Sequence, residues 1–252
     1  MNLRVSLIQM EVDNKDADAN LKKAAEMLEE ASKYSPDVIV LPELWITGYA
    51  ENLQESYIYS LSADNLLRAF SSSQSCFIFG GSLPVKENGN LYNECRVYSP
   101  EGLLGIYRKV HLIPLLKEPE IFTPGSSLGI FDFLGTRWGV VICYDIRFPE
   151  LMREMVKFGI EILVVPAEWP SSRIEHWRAL LRARAIENQV FVLACNAISS
   201  DSFLGGNSMV IDPWGEIEAS LGRVEGILNC EIDLKKVKKV REELPVLDDL
   251  IS

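Results

Sequence analysis

Histidine is almost missing from this sequence, with only His111 and His176 in 252 residues. Reactions that rest on imidazole as the general base therefore have few candidates. Cysteine offers no scaffold either. Cys76, Cys95, Cys143, Cys195 and Cys230 are odd in number, widely spaced and free of CxxC, which suggests neither a disulfide framework nor a zinc site. Positive charge is short as well, with 25 Lys+Arg against 36 Asp+Glu and a net charge of −11. That sign repels phosphate backbones and anionic lipid, so nucleic-acid and membrane-surface roles are disfavoured. The lysine cluster in DLKKVKKVREE is flanked by acids and reads as a solvated face. No apolar run reaches the roughly 18 residues of a membrane span. The N-terminus, MNLRVSLIQMEVDN, turns acidic where a signal peptide would stay apolar. A cytoplasmic protein without metal is the expectation.

What is present is apolar patterning in quantity. Hydrophobic residues make up 48% of the chain, enough for one large core, so a single domain over residues 1–252 is expected. LRVSLIQM alternates as a half-buried strand does. The next segment, NKDADANLKKAAEMLEEASKYSPD, puts Leu21, Ala24, Ala25, Leu28 and Ala31 on one helical face, and DVIVLPE reads as a buried strand. Strand, helix, strand within about 40 residues is the βαβ rhythm. It continues through a helix near 62–74, a strand in CFIFGGSLPV, a hairpin around YNECRVYSPEGLLGIYRKV and strands near 128–133 and 138–143. Helices over 149–158 and 173–189 flank the strand IEILVVPA, and four strand-like segments run from VFVLACNA to GILNCEID. About a dozen strands and four or five helices place the chain among α/β folds whose sheets are covered by helices.

Three apolar strands end on residues with chemistry. GVVICYDIRFPE delivers Cys143 to a point where the chain turns polar, before a helix start whose amides would favour a thiolate. Glu43 ends the apolar run in VIVLPELWITGY, and Lys109 closes the patterned segment GIYRKVHL. Taken singly, each has an ordinary structural reading: a packed thiol, a strand-terminating carboxylate, an exposed lysine. The remaining cysteines lie inside strand patterns and read as buried packing.

LPELWITGY, YRKVHL and GVVICYDIRFPE, in that order, resemble the glutamate, lysine and cysteine motifs of the nitrilase superfamily of carbon-nitrogen hydrolases. GGNSMVIDPWGEI resembles the family's late strand pair. The resemblance spans essentially the whole chain and implies a four-layer αββα sandwich, commonly assembled into homodimers or higher homo-oligomers. By position it makes Cys143 the nucleophile, Glu43 the general base and acid, and Lys109 the cation near the oxyanion. Glu118 in EPEIFTPG matches a second glutamate beside the substrate, with Glu120 as its rival.

The chemistry of that set is coherent and needs no cofactor. A carboxylate takes the thiol proton, and a lysine lowers the thiol pKa. Lys109 and the backbone N–H of Tyr144 would stabilise the oxyanion. PAEWPSSRIEHWRALLRARAIENQVFVLACN resembles the omega-amidase branch, which implies a small-molecule substrate such as 2-oxoglutaramate. Arg173, just past the EWPSS loop, is the candidate for a substrate carboxylate. Trp169 and Tyr49 are candidates to line the acyl site, and His176 and Trp177 either border the pocket or pack. Arg147 reads as a structural ion-pair former. Arg178, Arg182 and Arg184 read as surface or interface ion pairs, with Ala179, Ala183, Ile186 and Val190 as the buried stripe. Within the superfamily the alternatives are an N-carbamoyl amine hydrolase, a nitrilase or another aliphatic amidase. Outside it stand a cysteine redox protein, which lacks a resolving cysteine, an amidotransferase, which lacks a receiving domain, and a non-catalytic binding subunit.

Overall fold

The first strand, β1 (Asn2–Gln9), sets the plan of the molecule, because its alternate side chains serve two different layers. The structure, a computed structural model, describes residues 1–249. Leu3, Val5 and Leu7 point into the space between two sheets, whereas Ile8 belongs to the core beneath the helices. After β1 come α1 (Ala17–Ser32), capped by the Asp16 side chain on Ala19 N, then β2 (Val38–Val40), α2 (Ser60–Gln74) and β3 (Phe77–Phe79). β4 (Leu83–Glu87), β5 (Asn90–Ser99) and β6 (Gly102–Arg108) complete one mixed sheet, together with the late strand β13 (Gly226–Asp233) at its far edge. Within it β1, β2 and β3 run parallel.

The second sheet follows a short α3 (Glu118–Ile121). β7 (Gly129–Phe133) and β8 (Thr136–Val140) form a hairpin. α4 (Pro149–Lys157), β9 (Ile162–Ala167), α5 (Ile174–Asn188) and β10 (Phe191–Asn196) then make β8, β9 and β10 parallel neighbours. β11 (Met209–Ile211) and β12 (Ile217–Ser220) extend this sheet, and α6 (Lys235–Glu243) follows β13. Thirteen strands match the dozen read from the sequence, six helices among the described residues exceed the four or five expected, the short α3 included, and the αββα order agrees. α1 and α2 cover the outer face of the first sheet through Ala24, Leu28, Ala63 and Leu67. α4 and α5 cover the second through Met152, Met155, Trp177 and Leu181. Between the sheets, Cys195 on β10 donates its thiol to Ile8 O at 3.2 Å, and Phe133 stacks on both Phe77 and Trp138.

Four expectations are corrected. The strand read through CFIFGGSLPV is two strands, β3 and β4, broken at Gly81. There φ is +65° and a Cβ would lie 1.9 Å from Pro42 O, so only glycine allows this link to press on the chain after β2. The buried face of α5 is Trp177, Leu181, Arg184, Ala185 and Asn188, not Ala179, Ala183 and Ile186, whereas Val190, just past the helix, is buried as expected. Ala179 and Ile186 face outward, because the helix is apolar on both sides and Trp177 and Leu181 bury far more area than alanine can. Arg184 is buried rather than a surface ion-pair residue: besides pairing with Glu187 it donates to Ile146 O at 2.9 and 2.8 Å. Of the packing cysteines, Cys76, Cys95 and Cys195 are buried, but Cys230 is only half-buried.

Candidate active site

The carboxyl ends of the parallel strands β2, β8, β9 and β10 lie at the same end of the sandwich, where α/β folds bind ligands. Glu43 follows β2, Lys109 follows β6 and Cys143 follows β8, so three chain segments remote in sequence meet there. Lys109 Nζ donates to Glu43 Oε1 at 2.7 Å and to both oxygens of Glu118 at 2.9 Å. All three side chains are fully buried, while Glu120 is exposed. Glu118 is held from behind by Ile113 N, which donates to Oε2 at 2.6 Å. Tyr49 OH lies 2.8 Å from Glu118 Oε1 and 3.1 Å from Glu43 Oε1. With one proton it serves one carboxylate at a time.

Cys143 opens a 3-10 turn, Cys143–Arg147, with φ +46°. A non-glycine residue held in that region costs on the order of 1–3 kcal/mol and persists only where the surroundings impose it. Here Asp145 imposes it. Its Oδ2 accepts from Ile142 N and Tyr107 OH, and its Oδ1 accepts from His111 N and contacts His111 Nδ1 at 2.9 Å. One buried carboxylate thus ties the cysteine turn to the segment that carries Lys109. From the other side Arg184 grips Ile146 O.

Burial pushes Glu43 up, but the Lys109 charge and the hydrogen bonds from Lys109, Cys143 and Glu168 N outweigh it and hold Glu43 below the usual carboxylate range. Lys109 is held above its ordinary value, because the attraction of Glu43 and Glu118 overcomes its desolvation. Cys143 is pushed well above a normal thiol by burial and by Glu43, with Lys109 only partly offsetting them. This corrects the expectation of a thiolate favoured by lysine. The resting trio is an ionised glutamate, an ammonium and a neutral thiol.

Cys143 opens into a cavity of about 730 Å³, within the ordinary range for small-ligand sites. Tyr49, Tyr144, Arg147, Trp169, Arg173 and His176 line it. Trp177 does not; it packs on Trp169 at 5.4 Å and donates Nε1 to Asn207 O. Arg147 makes no ion pair among the described residues, and Asp145 is already engaged by other donors. Its guanidinium lies 4.5 Å from the Trp169 ring centre and 5.8 Å from that of Tyr144. Burial lowers its pKa, and the neighbouring Arg173 cation lowers it further. Sequence reasoning also missed Asn93, which donates to Glu43 Oε1 at 2.9 Å from an inward position of β5, and Glu168, whose backbone N donates to Glu43 Oε2 at 3.0 Å. A polar residue in the inward register of an apolar strand, between Leu91 and Cys95, is the signal that marks Asn93.

Comparison with known proteins points to the same chemistry. The sequence model of the family described as carbon-nitrogen hydrolase matches residues 4–242. The chain is 42% identical to a 2-oxoglutaramate amidase of Bacillus subtilis, over 99% of its own length and 98% of the relative's. It is 34% identical to an omega-amidase NIT2 of Bos taurus, covering 96% and 93% of the two chains. In structure it is similar to Saccharomyces cerevisiae Nit3, a member of branch 10 of the nitrilase superfamily. There the TM-score is 0.90 at 29% identity, with 97% and 95% coverage.

Proposed function

The chain belongs to the carbon-nitrogen hydrolase family and is an enzyme of amide hydrolysis; from that premise we propose that it releases ammonia from short keto acid monoamides, 2-oxoglutaramate foremost, through a Cys143 thioester. The observation that carries the chemistry is the buried Glu43–Lys109 ion pair beside Cys143, whose thiol opens into the cavity. Glu43, ionised at rest, takes the thiol proton as Cys143 Sγ attacks the amide carbon, which avoids charging the thiolate in a dry site. Lys109 and the Tyr144 backbone N–H stabilise the tetrahedral oxyanion, and Glu118 holds the ammonium in line. Glu43 then returns the proton to the nitrogen, the C–N bond breaks, and ammonia leaves a thioester. Glu43 next activates a water, which releases the carboxylate and restores the thiol. No metal or cofactor enters any step.

The acyl end is read from charge. In a chain of net charge −11, an anionic substrate needs local compensation. Arg147 and Arg173 share the cavity wall, and they are near enough that the Arg173 cation adds to burial in lowering the Arg147 pKa. Two guanidiniums on one cavity wall suit a substrate carboxylate, with Trp169 and Tyr49 enclosing the chain of the acyl group. Similarity to the Bacillus subtilis 2-oxoglutaramate amidase supports the same choice. The reading extends to a cytoplasmic homodimer: no described helix is long and apolar enough to cross a membrane, and Ile186, Trp214, Leu244 and Val246 form an exposed apolar cluster suited to self-association.

Ammonia release measured for 2-oxoglutaramate beside glutamine, an uncharged short amide and an N-carbamoyl amino acid tests the proposal. Preference for 2-oxoglutaramate, lost in Arg173→Ala mainly as a rise in KM, is the expected result. Preference for an uncharged amide or an N-carbamoyl compound would overturn the substrate assignment.

A further inference from the structure

Glu168 follows β9 directly and lines the cavity with Cys143, yet it is only 4% exposed. Among the described residues no donor reaches its Oε1. A buried oxygen left without a partner is costly, and such atoms gather where a ligand supplies the missing bond. Its own peptide N–H holds Glu43 Oε2, so the side chain leaves from the peptide that positions the base. Burial, and then the Glu43 charge, push the Glu168 carboxyl well above the usual range against the opposing pull of Lys109. That shift favours the neutral acid, whose carbonyl oxygen is free to accept and which repels an anion less than a carboxylate would.

The complement of the site decides what that oxygen meets. Lys109, the Tyr144 N–H, Arg147 and Arg173 are donors. A primary carboxamide brings one acceptor oxygen, which those donors take, and two N–H groups, which need acceptors. Glu43 is one acceptor. We propose that Glu168 is the other: it accepts an N–H of the scissile carboxamide, holds the leaving nitrogen against Glu43, and selects primary amides over esters of the same acid.

The inference rests on the cysteine mechanism above and is tested apart from it. Tests compare 2-oxoglutaramate with the corresponding methyl ester of 2-oxoglutarate, and propionamide with methyl propionate. kcat/KM is the readout because it reports the steps through acylation. Glu168→Leu should lower kcat/KM for the amides about 10- to 100-fold while the esters stay within about threefold. Glu168→Gln, which keeps a neutral acceptor, should preserve the amide-to-ester ratio. Binding of each amide and ester to Cys143→Ala, with and without Glu168→Leu, reads the same ratio where ester turnover is slow. Equal losses on amide and ester in folded Glu168→Leu protein, or no loss on either, would overturn the proposal. Failure of the cysteine mechanism itself would show separately, as turnover by Cys143→Ala.

Discussion

Lys109 carries more of the site than its single charge suggests. Two buried glutamates converge on one ammonium, so removing it leaves carboxylates that are desolvated and close together. Breaking a buried pair from one side costs about 3–5 kcal/mol, and Lys109→Met should lose stability on that scale along with activity. The pH dependence gives the sign. In the wild type, Glu43 lies below its unfolded value, so its contribution is present above the ordinary carboxylate pKa of 4.5 and is lost as pH falls through the folded value. In Lys109→Met burial raises Glu43 instead, so its contribution is present at low pH and lost as pH rises. The melting-temperature deficit of the variant should therefore grow from pH 4 to pH 7. A deficit independent of pH would count against the ionised glutamate. Lys109, Glu43 and Cys143 were legible as a set because each stands just past an apolar-patterned segment and the three motifs together resemble those of the nitrilase superfamily. Arg147 was not, because an arginine that stacks on Trp169 and one that pairs with an acid look alike in sequence.

At the scale of elements, the site depends on turns rather than on strands. The Cys143–Arg147 turn and the segment after β6 are coupled through Asp145, whose two oxygens receive bonds from Tyr107, His111 and Ile142. Asparagine keeps only one acceptor and turns an amide N–H toward donors. Asp145→Asn should cost about 2–3 kcal/mol of stability and lower kcat/KM on the order of 10²-fold through misplacement of the thiol. A calorimetric scan and a kinetic series check both. Wild-type behaviour in either would remove Asp145 from its positioning role. Strand and helix identities were largely readable, since periods of 2.0 and 3.6 follow from burial. The errors fell where that logic is ambiguous: α5 is apolar on two sides, and its buried face is about 200° away from the alanine stripe, two residues at roughly 100° each. The break at Gly81 answers to a tertiary contact with Pro42 that no local pattern encodes.

For the whole molecule, two sheets packed face to face bring strand ends that are more than 100 residues apart in the chain to one cavity, as with Glu43 and Glu168. The order of layers was readable from strand and helix alternation together with the motif resemblance; the convergence of Asn93, Asp145 and Glu168 was not, because it depends on which strand ends become neighbours. The exposed cluster of Ile186, Trp214, Leu244 and Val246 makes a prediction at this scale. The protein should sediment at about twice its 28.4 kDa, and Ile186→Glu should shift it toward the monomer without altering its circular dichroism. A wild-type monomer would contradict the dimer reading.

The central claim is that the Cys143 sulfur carries the acyl group. Ammonia release from 2-oxoglutaramate by purified Cys143→Ala, beside the wild type and with melting temperatures recorded for both, tests it most directly. The account predicts a folded variant with turnover reduced by at least about 10³-fold. A folded variant that still releases ammonia at a rate near the wild type would contradict it.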